Sequence, residues 1–178
     1  MNKGHTKYNN FLNIKNNWPL DDWSINRECF EKIVEILEFD KYILELGSGK
    51  SSELLSMFYN VISVEHDINY LNKYNTRYIH VSANNEGYDF NHLKDSLKNI
   101  QYDLLIIDGP NEKREKIVDY ITDFKTDIPI IWDDTQVYEP HAIAMSNKLN
   151  KHYTTYQCNP QGDFWRNYSN GKRFTLLL

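Results

Sequence analysis

Apolar residues recur along this chain in runs of four or five, separated by stretches of mixed polarity. Five such runs predict strands: Tyr42–Leu46, Val61–Val64, Tyr78–Val81, Tyr102–Ile107 and Ile128–Trp132. Between them the apolar positions switch to helical spacing. Phe30, Ile33, Val34 and Leu37 share one face of a helix opening near Ser24, a residue suited to the N-cap. Further helices are predicted over Ser51–Tyr59, Asp67–Lys73, Phe90–Lys98, Glu112–Phe124 and Pro140–Leu149, with Ser82–Asp89 as a polar loop. Tyr153–Gln157 and Arg173–Leu178 complete the pattern as two further strands.

Strands alternating with helices of about ten residues predict a parallel sheet covered on both faces. The last two strands have only the Asn159–Gly171 loop between them, too short for a helical crossover. They are therefore expected to pair as an antiparallel hairpin. The predicted fold class is α/β: a seven-stranded, mostly parallel sheet with helices on both faces and a C-terminal antiparallel hairpin. Residues 1–24 form a polar leader, loose or acting as a lid, in which Trp18 and Trp23 could pack back on the domain. Residues 25–178 form one domain.

The remaining composition narrows the setting. With 178 residues the chain is long enough for one well-buried core. No apolar run approaches the ~18 residues of a membrane helix, and Met1–Asn10 is polar, so a cytoplasmic protein is expected, away from membranes. The net charge of −5 argues against nucleic acid as a partner, which needs a basic face. Cys29 and Cys158 have no metal-ligand spacing.

In open α/β sheets ligands bind beyond the carboxyl ends of the strands. Four strands here end in acidic or glycine-rich turns: Glu45-Leu46-Gly47-Ser48-Gly49, Glu65-His66-Asp67, Asp108-Gly109-Pro110 and Asp133-Asp134. Carboxylates gathered at a buried rim are costly unless they bind something. Gly47 and Gly49 allow a tight turn and close backbone approach. The dinucleotide fingerprint G-x-G-x-x-G is incomplete, with Ser52 at its third glycine, and a P-loop is excluded by Leu44. Glu65, twenty residues after Glu45, is placed to accept both hydroxyls of a ribose. Together these features point to a nucleoside-containing cofactor.

The segment Ile43-Leu44-Glu45-Leu46-Gly47-Ser48-Gly49 resembles the first motif of class I S-adenosylmethionine-dependent methyltransferases, a Rossmann-like family, and Glu65 matches its ribose-binding acid. The resemblance implies S-adenosylmethionine as cofactor. The cofactor-binding residues it implies are Glu45, Gly47, Ser48, Gly49, Ser52, Glu65, His66, Ser82, Asn84 and Asp108. Glu45 would serve the methionine end, and the loop holding Ser82 and Asn84 the adenine.

Asp108-Gly109-Pro110-Asn111 departs from the Asp/Asn-Pro-Pro-Tyr/Phe motif of nucleic-acid amino-methyltransferases. Asp108 with Asp133-Asp134 instead resembles metal-dependent O-methyltransferases of the catechol type, and the Asp-Gly-Pro turn resembles sugar and polysaccharide O-methyltransferases. That resemblance implies Asp108, Asp133 and Asp134 as ligands of Mg²⁺ or another divalent cation. The lysine base of the catechol type is missing, its position being Asn111. Asp108 and His141 are the expected catalytic pair, with Asp134 or the metal as other sources of the base. The aromatic loop Asp163–Tyr168 suits a sugar or a carboxylate. The expected function is methyl transfer to a hydroxyl of a small polar substrate, a sugar or glycan, with a homodimer supplying missing walls. A nucleic-acid methyltransferase and a non-catalytic Rossmann-like binding module are the alternatives.

Overall fold

The computed structural model describes residues 3–19, 24–111, 113–158 and 171–178. In chain order it holds α1 (Lys3–Asn16), α2 (Arg27–Ile36), β1 (Tyr42–Leu46), α3 (Lys50–Ser56), β2 (Asn60–Glu65) and β3 (Arg77–His80). A two-stranded hairpin, β4 (Ala83–Asn84) and β5 (Gly87–Tyr88), precedes α4 (Phe90–Leu97) and β6 (Leu104–Ile107). Then come α5 (Ile117–Tyr120), β7 (Ile130–Trp132), α6 (Thr135–Leu149), β8 (Tyr153–Gln157) and β9 (Arg173–Leu177).

Seven strands form one sheet in the order β3-β2-β1-β6-β7-β9-β8. The first five are parallel, and β9 runs antiparallel to both β7 and β8. This is the expected architecture, terminal hairpin included. Successive residues of the central strands face opposite sides. Leu44, Leu46, Leu105, Ile107, Ile130 and Trp132 pack under α4, α5 and α6, while Ile43, Leu104, Ile106 and Ile131 pack under α2 and α3. Burial on both faces explains why these strands read as continuous apolar runs.

Four local expectations are corrected. The leader is not loose: Lys3–Asn16 is helical, and Phe11 and Trp18 both lie 5.7 Å from the Phe30 ring. Trp23 lies outside the described residues. Asp67–Lys73 makes turns instead of a helix, with Asn72 in the left-handed region at φ 59°. The helix expected from 112 to 124 is reduced to α5 between two short 3₁₀ turns, Arg114–Lys116 and Ile121–Asp123. The sixth helix begins at Thr135, five residues before Pro140, which sits inside it. No described helix is long and apolar enough to cross a membrane.

A close backbone approach lies where β1 and β6 end. Gly47 has φ +91°, and a Cβ built on it would stand 3.0 Å from Gly109 N. A Cβ on Gly109 would stand 2.9 Å from Gly47 Cα. Both neighbours are backbone, so neither can yield without parting the two strand ends. Gly49 differs: it is extended, at φ −166°, with no described atom within 4 Å of its Cβ position. Gly109→Ala is therefore expected to destabilise by about 2 kcal/mol, a fall in Tm of about 5 °C, and Gly49→Ala to leave Tm within about 1 °C. Thermal melts followed by circular dichroism check both.

Candidate functional site

The parallel strands open at their carboxyl ends onto a cavity of about 580 Å³. Its walls come from the Gly47–Ser51 loop, the Glu65–Asp67 turn, the Asp108–Asn111 turn and the side chains of Arg114, Asp134 and Lys172. Ser24 closes one side, and Tyr70, Lys73 and Tyr74 form a rim on another, with Lys73 Nζ 4.4 Å from the centre of the Tyr70 ring. That volume is in the range of small-molecule sites.

Glu65 clamps the glycine loop. Its Oε2 accepts from the Ser48 N–H at 2.9 Å and the Ser48 hydroxyl at 3.0 Å. Its Oε1 accepts from the N–H groups of His66 and Asp67 at 2.7 and 2.8 Å, with His66 Nδ1 3.0 Å away. A carboxylate offers about four acceptor sites, and here four protein donors hold them. A ligand hydroxyl can join only by displacing one. The Ser48 hydroxyl turns away by a single bond rotation, whereas the three N–H groups belong to the backbone.

Glu45 lies beneath the loop, 1% exposed, and does not line the cavity. Its Oε2 accepts from the Ser52 hydroxyl at 2.6 Å and from the Ser63 hydroxyl, on the neighbouring strand, at 2.8 Å. Ser52 Oγ in turn accepts from the Gly49 N–H at 2.9 Å. The serine in place of a third glycine is thus the link by which a buried acid fixes the loop. Ser51 Oγ accepts from the Ile25 N–H at 3.0 Å, tying the chain before α2 to the start of α3.

The expected site residues divide. Gly47, Ser48, Gly49, Glu65, His66, Asp108 and Asp134 all line the cavity. Glu45 and Ser52 support it from below, and Asp133 is buried behind it at 1% exposure. Ser82, Asn84 and His141 are not among the lining residues. Ser82 precedes the β4–β5 hairpin and Asn84 lies in it, both exposed, and Asn84 Oδ1 accepts from the Glu86 N–H. His141 is inside α6, its ring 6.3 Å from that of Tyr138. The Asp163–Tyr168 loop lies outside the described residues.

Asp108, Asp133 and Asp134 can each bring one carboxylate oxygen within 4.8 Å of the others. Two cations that sequence reasoning passed over stand among them. Arg114, 2% exposed, lies 3.7 Å from Asp108 Oδ1 and 3.5 Å from Asp134 Oδ2. Lys172, equally buried, lies 3.1 Å from Asp133 Oδ2 and 3.6 Å from Asp134 Oδ1. Three carboxyl groups therefore face two buried cations. A resident divalent cation does not fit this set while Lys172 is in place, because it would enter beside two like charges in a poorly solvated pocket. Burial pushes the Asp108 carboxyl well above the ordinary range, the charge of Asp133 adding and Arg114 opposing. Burial disfavours the charge on Lys172, but Asp133 and Asp134 outweigh it and hold the ammonium protonated. In the sequence Arg114 and Lys172 each sit among other charged or polar residues, a setting that reads as solvated surface.

Burial also raises the Glu45 carboxyl from 4.5 to about 7, against the Ser52 and Ser63 hydroxyls, with Glu65 adding to the rise. Between these two values the folded chain holds a proton that the unfolded chain has released. The stability linked to this proton is fully present below pH 4.5 and is lost as pH rises through 7. The loss amounts to about 3 kcal/mol. Glu45→Gln is expected to abolish it, so that the variant gains on the wild type by about that amount from pH 4.5 to 8. Urea unfolding of both proteins across the range measures the difference.

The sequence matches no family model and no curated protein. The fold is shared with solved methyltransferase structures at low identity. One is a putative methyltransferase from an antibiotic biosynthesis pathway of Anabaena variabilis, 10% identical, with TM-score 0.58 over 86% of this chain and 98% of that one. A second is precorrin-6y C5,15-methyltransferase of Geobacter metallireducens, 16% identical, with TM-score 0.52 over 80% and 81%. A third is a methyltransferase of Pyrococcus furiosus, 12% identical, with TM-score 0.52 over 84% and 80%. What the three have in common with this chain is the Rossmann-like methyltransferase fold.

Proposed function

We propose that this chain is an S-adenosylmethionine-dependent O-methyltransferase acting on a hydroxyl of a small polar substrate, a sugar or glycan being the expected class. The observation that carries the reading is the cavity at the strand ends, walled on one side by the Glu65-clamped glycine loop and on the other by half-buried Asp108 and Asp134. A ligand with a ribose and a positive centre suits both walls. When bound, S-adenosylmethionine supplies the methyl group and its sulfonium charge. Glu65 would hold the ribose hydroxyls, and the Gly47–Gly49 backbone would lie against the cofactor.

On the acceptor side the exposed polar atoms of Asp108 and Asp134 are hydrogen-bond acceptors, so they favour a substrate group that donates. A hydroxyl does so, and loses its proton as it is methylated. Asp108, on the cavity wall and held above the ordinary carboxylate range by burial and Asp133, is a stronger base than an ordinary carboxylate and is the better placed to take that proton. His141 does not line the cavity, so the geometry supports Asp108 alone of the expected pair. Positioning and electrostatics supply the rest of such a transfer.

Calorimetric titration of the full chain with S-adenosylmethionine tests the reading, and absence of binding would overturn it. Glu65→Ala is expected to weaken that binding at least fiftyfold. Ser48→Ala, which removes the competing hydroxyl, should leave it unchanged or tighten it by a few-fold. With a sugar or catechol acceptor identified by screening, Asp108→Asn should lower turnover about a hundredfold or more while the cofactor Kd stays within about threefold. An Asp108→Asn enzyme of wild-type turnover would remove Asp108 from the proton path.

A further inference from the structure

The two cations in the acid cluster are held differently. Arg114 is spread over many partners. Its guanidinium donates to the carbonyls of Pro110 and Asp133 at 3.5 and 3.4 Å and to Asn111 Oδ1 at 3.2 Å, and lies 5.0 Å from the centre of the Tyr138 ring. Lys172 is a compact charge reaching in from the start of β9. Its ammonium donates to the Ser24 carbonyl at 2.6 Å and faces Asp133 Oδ2 and Asp134 Oδ1 at 3.1 and 3.6 Å. One carbonyl and two carboxylates are hard oxygen donors, the set that suits Mg²⁺ or Mn²⁺.

We propose that the Lys172 ammonium occupies the cation position of the Asp108–Asp133–Asp134 cluster, so that the acceptor side of the site works without a divalent metal. Lys172 is then a positioning residue. It neutralises Asp133, which is buried and whose Oδ2 lies 3.1 Å from the ammonium. Asp134 is thereby held beside Asp108 at the cavity. Through Ser24 the same ammonium secures the chain that Ser51 grips one residue later at Ile25. A metal ion could balance the carboxylates, but it would not carry the covalent link to β9. The inference places the cluster on the acceptor side and to that extent rests on the methyl-transfer reading. Cation binding by the cluster is measurable without it.

The experiment is Mn²⁺ binding to the full chain, read by electron paramagnetic resonance, for the wild type, Lys172→Met and the double variant Lys172→Met/Asp133→Asn. Circular dichroism and S-adenosylmethionine calorimetry are run on each. The wild type is expected to bind no Mn²⁺ below millimolar concentration, and its cofactor affinity should be indifferent to EDTA. Lys172→Met, keeping three carboxylates and losing the nearer cation, is expected to bind one Mn²⁺ at least tenfold more tightly than the wild type. The double variant should lose that gain. Micromolar Mn²⁺ binding by the wild type overturns the proposal, and so does a folded Lys172→Met protein that gains none. Should Lys172→Met not fold, the wild-type titration still decides. Failure of the methyl-transfer reading is distinguishable, because it shows as absent cofactor binding in the wild type whatever Mn²⁺ does.

Discussion

Charge compensation behind the cavity is the constraint on which the site depends. The turn after β6 and the end of β7 bring Asp108, Asp133 and Asp134 to one place, and among the described residues Arg114, with Lys172 from the start of β9, makes that tolerable. A buried ion pair adds little net stability over an apolar pair of the same shape, but removing one partner costs about 3 to 5 kcal/mol. The network therefore acts as a specification. It requires β9 to lie beside β7, since only that register carries Lys172 to Asp133. It requires the chain before α2 to pass close by, since Lys172 donates to Ser24.

A second constraint works at the glycine loop, where both acids act on hydroxyl and backbone groups. Glu45 and Glu65 end up 20 residues apart in sequence, on adjacent parallel strands, and both bind the same loop. Glu65 grips it from the cavity side through Ser48, and Glu45 from below through Ser52 and Gly49. A hydroxyl serves as adaptor on the Glu45 side, where Ser52 donates to the acid and accepts from the Gly49 N–H, whereas Glu65 takes the Ser48 N–H directly.

What could be read from the sequence followed from local periodicity and strand-end chemistry. The central strands stood out because burial on both faces makes them largely apolar runs, and the glycine loop because Gly47 and Gly49 follow within four residues of Glu45 at a strand end. Asp108 and the Asp133-Asp134 pair were legible as acids at strand ends. Arg114 and Lys172 were not, because the Asp134 that both face is 20 residues from one and 38 from the other, and nothing local distinguishes a buried cation from a solvated one. The helix over Lys3–Asn16 was missed because its sequence is mostly polar; it is held by Phe11 against Phe30, a tertiary contact that local pattern does not reveal. Pro140 suggested a helix start, but Asp134, at φ 58°, turns the chain so that α6 begins at Thr135 instead.

The saturated state of Glu65 bears on the timing of ligand entry. An acid waiting with unfilled acceptors would draw ordered water or let its loop wander, and either would have to be undone on each encounter. Here the backbone donors already hold loop and acid in a fixed relation, and the group that must move is a hydroxyl rotor. Side-chain rotations of that size take picoseconds to nanoseconds, far faster than diffusional encounter at ordinary ligand concentrations. The backbone donors can thus stay in place while only a hydroxyl turns to admit a further donor to Glu65.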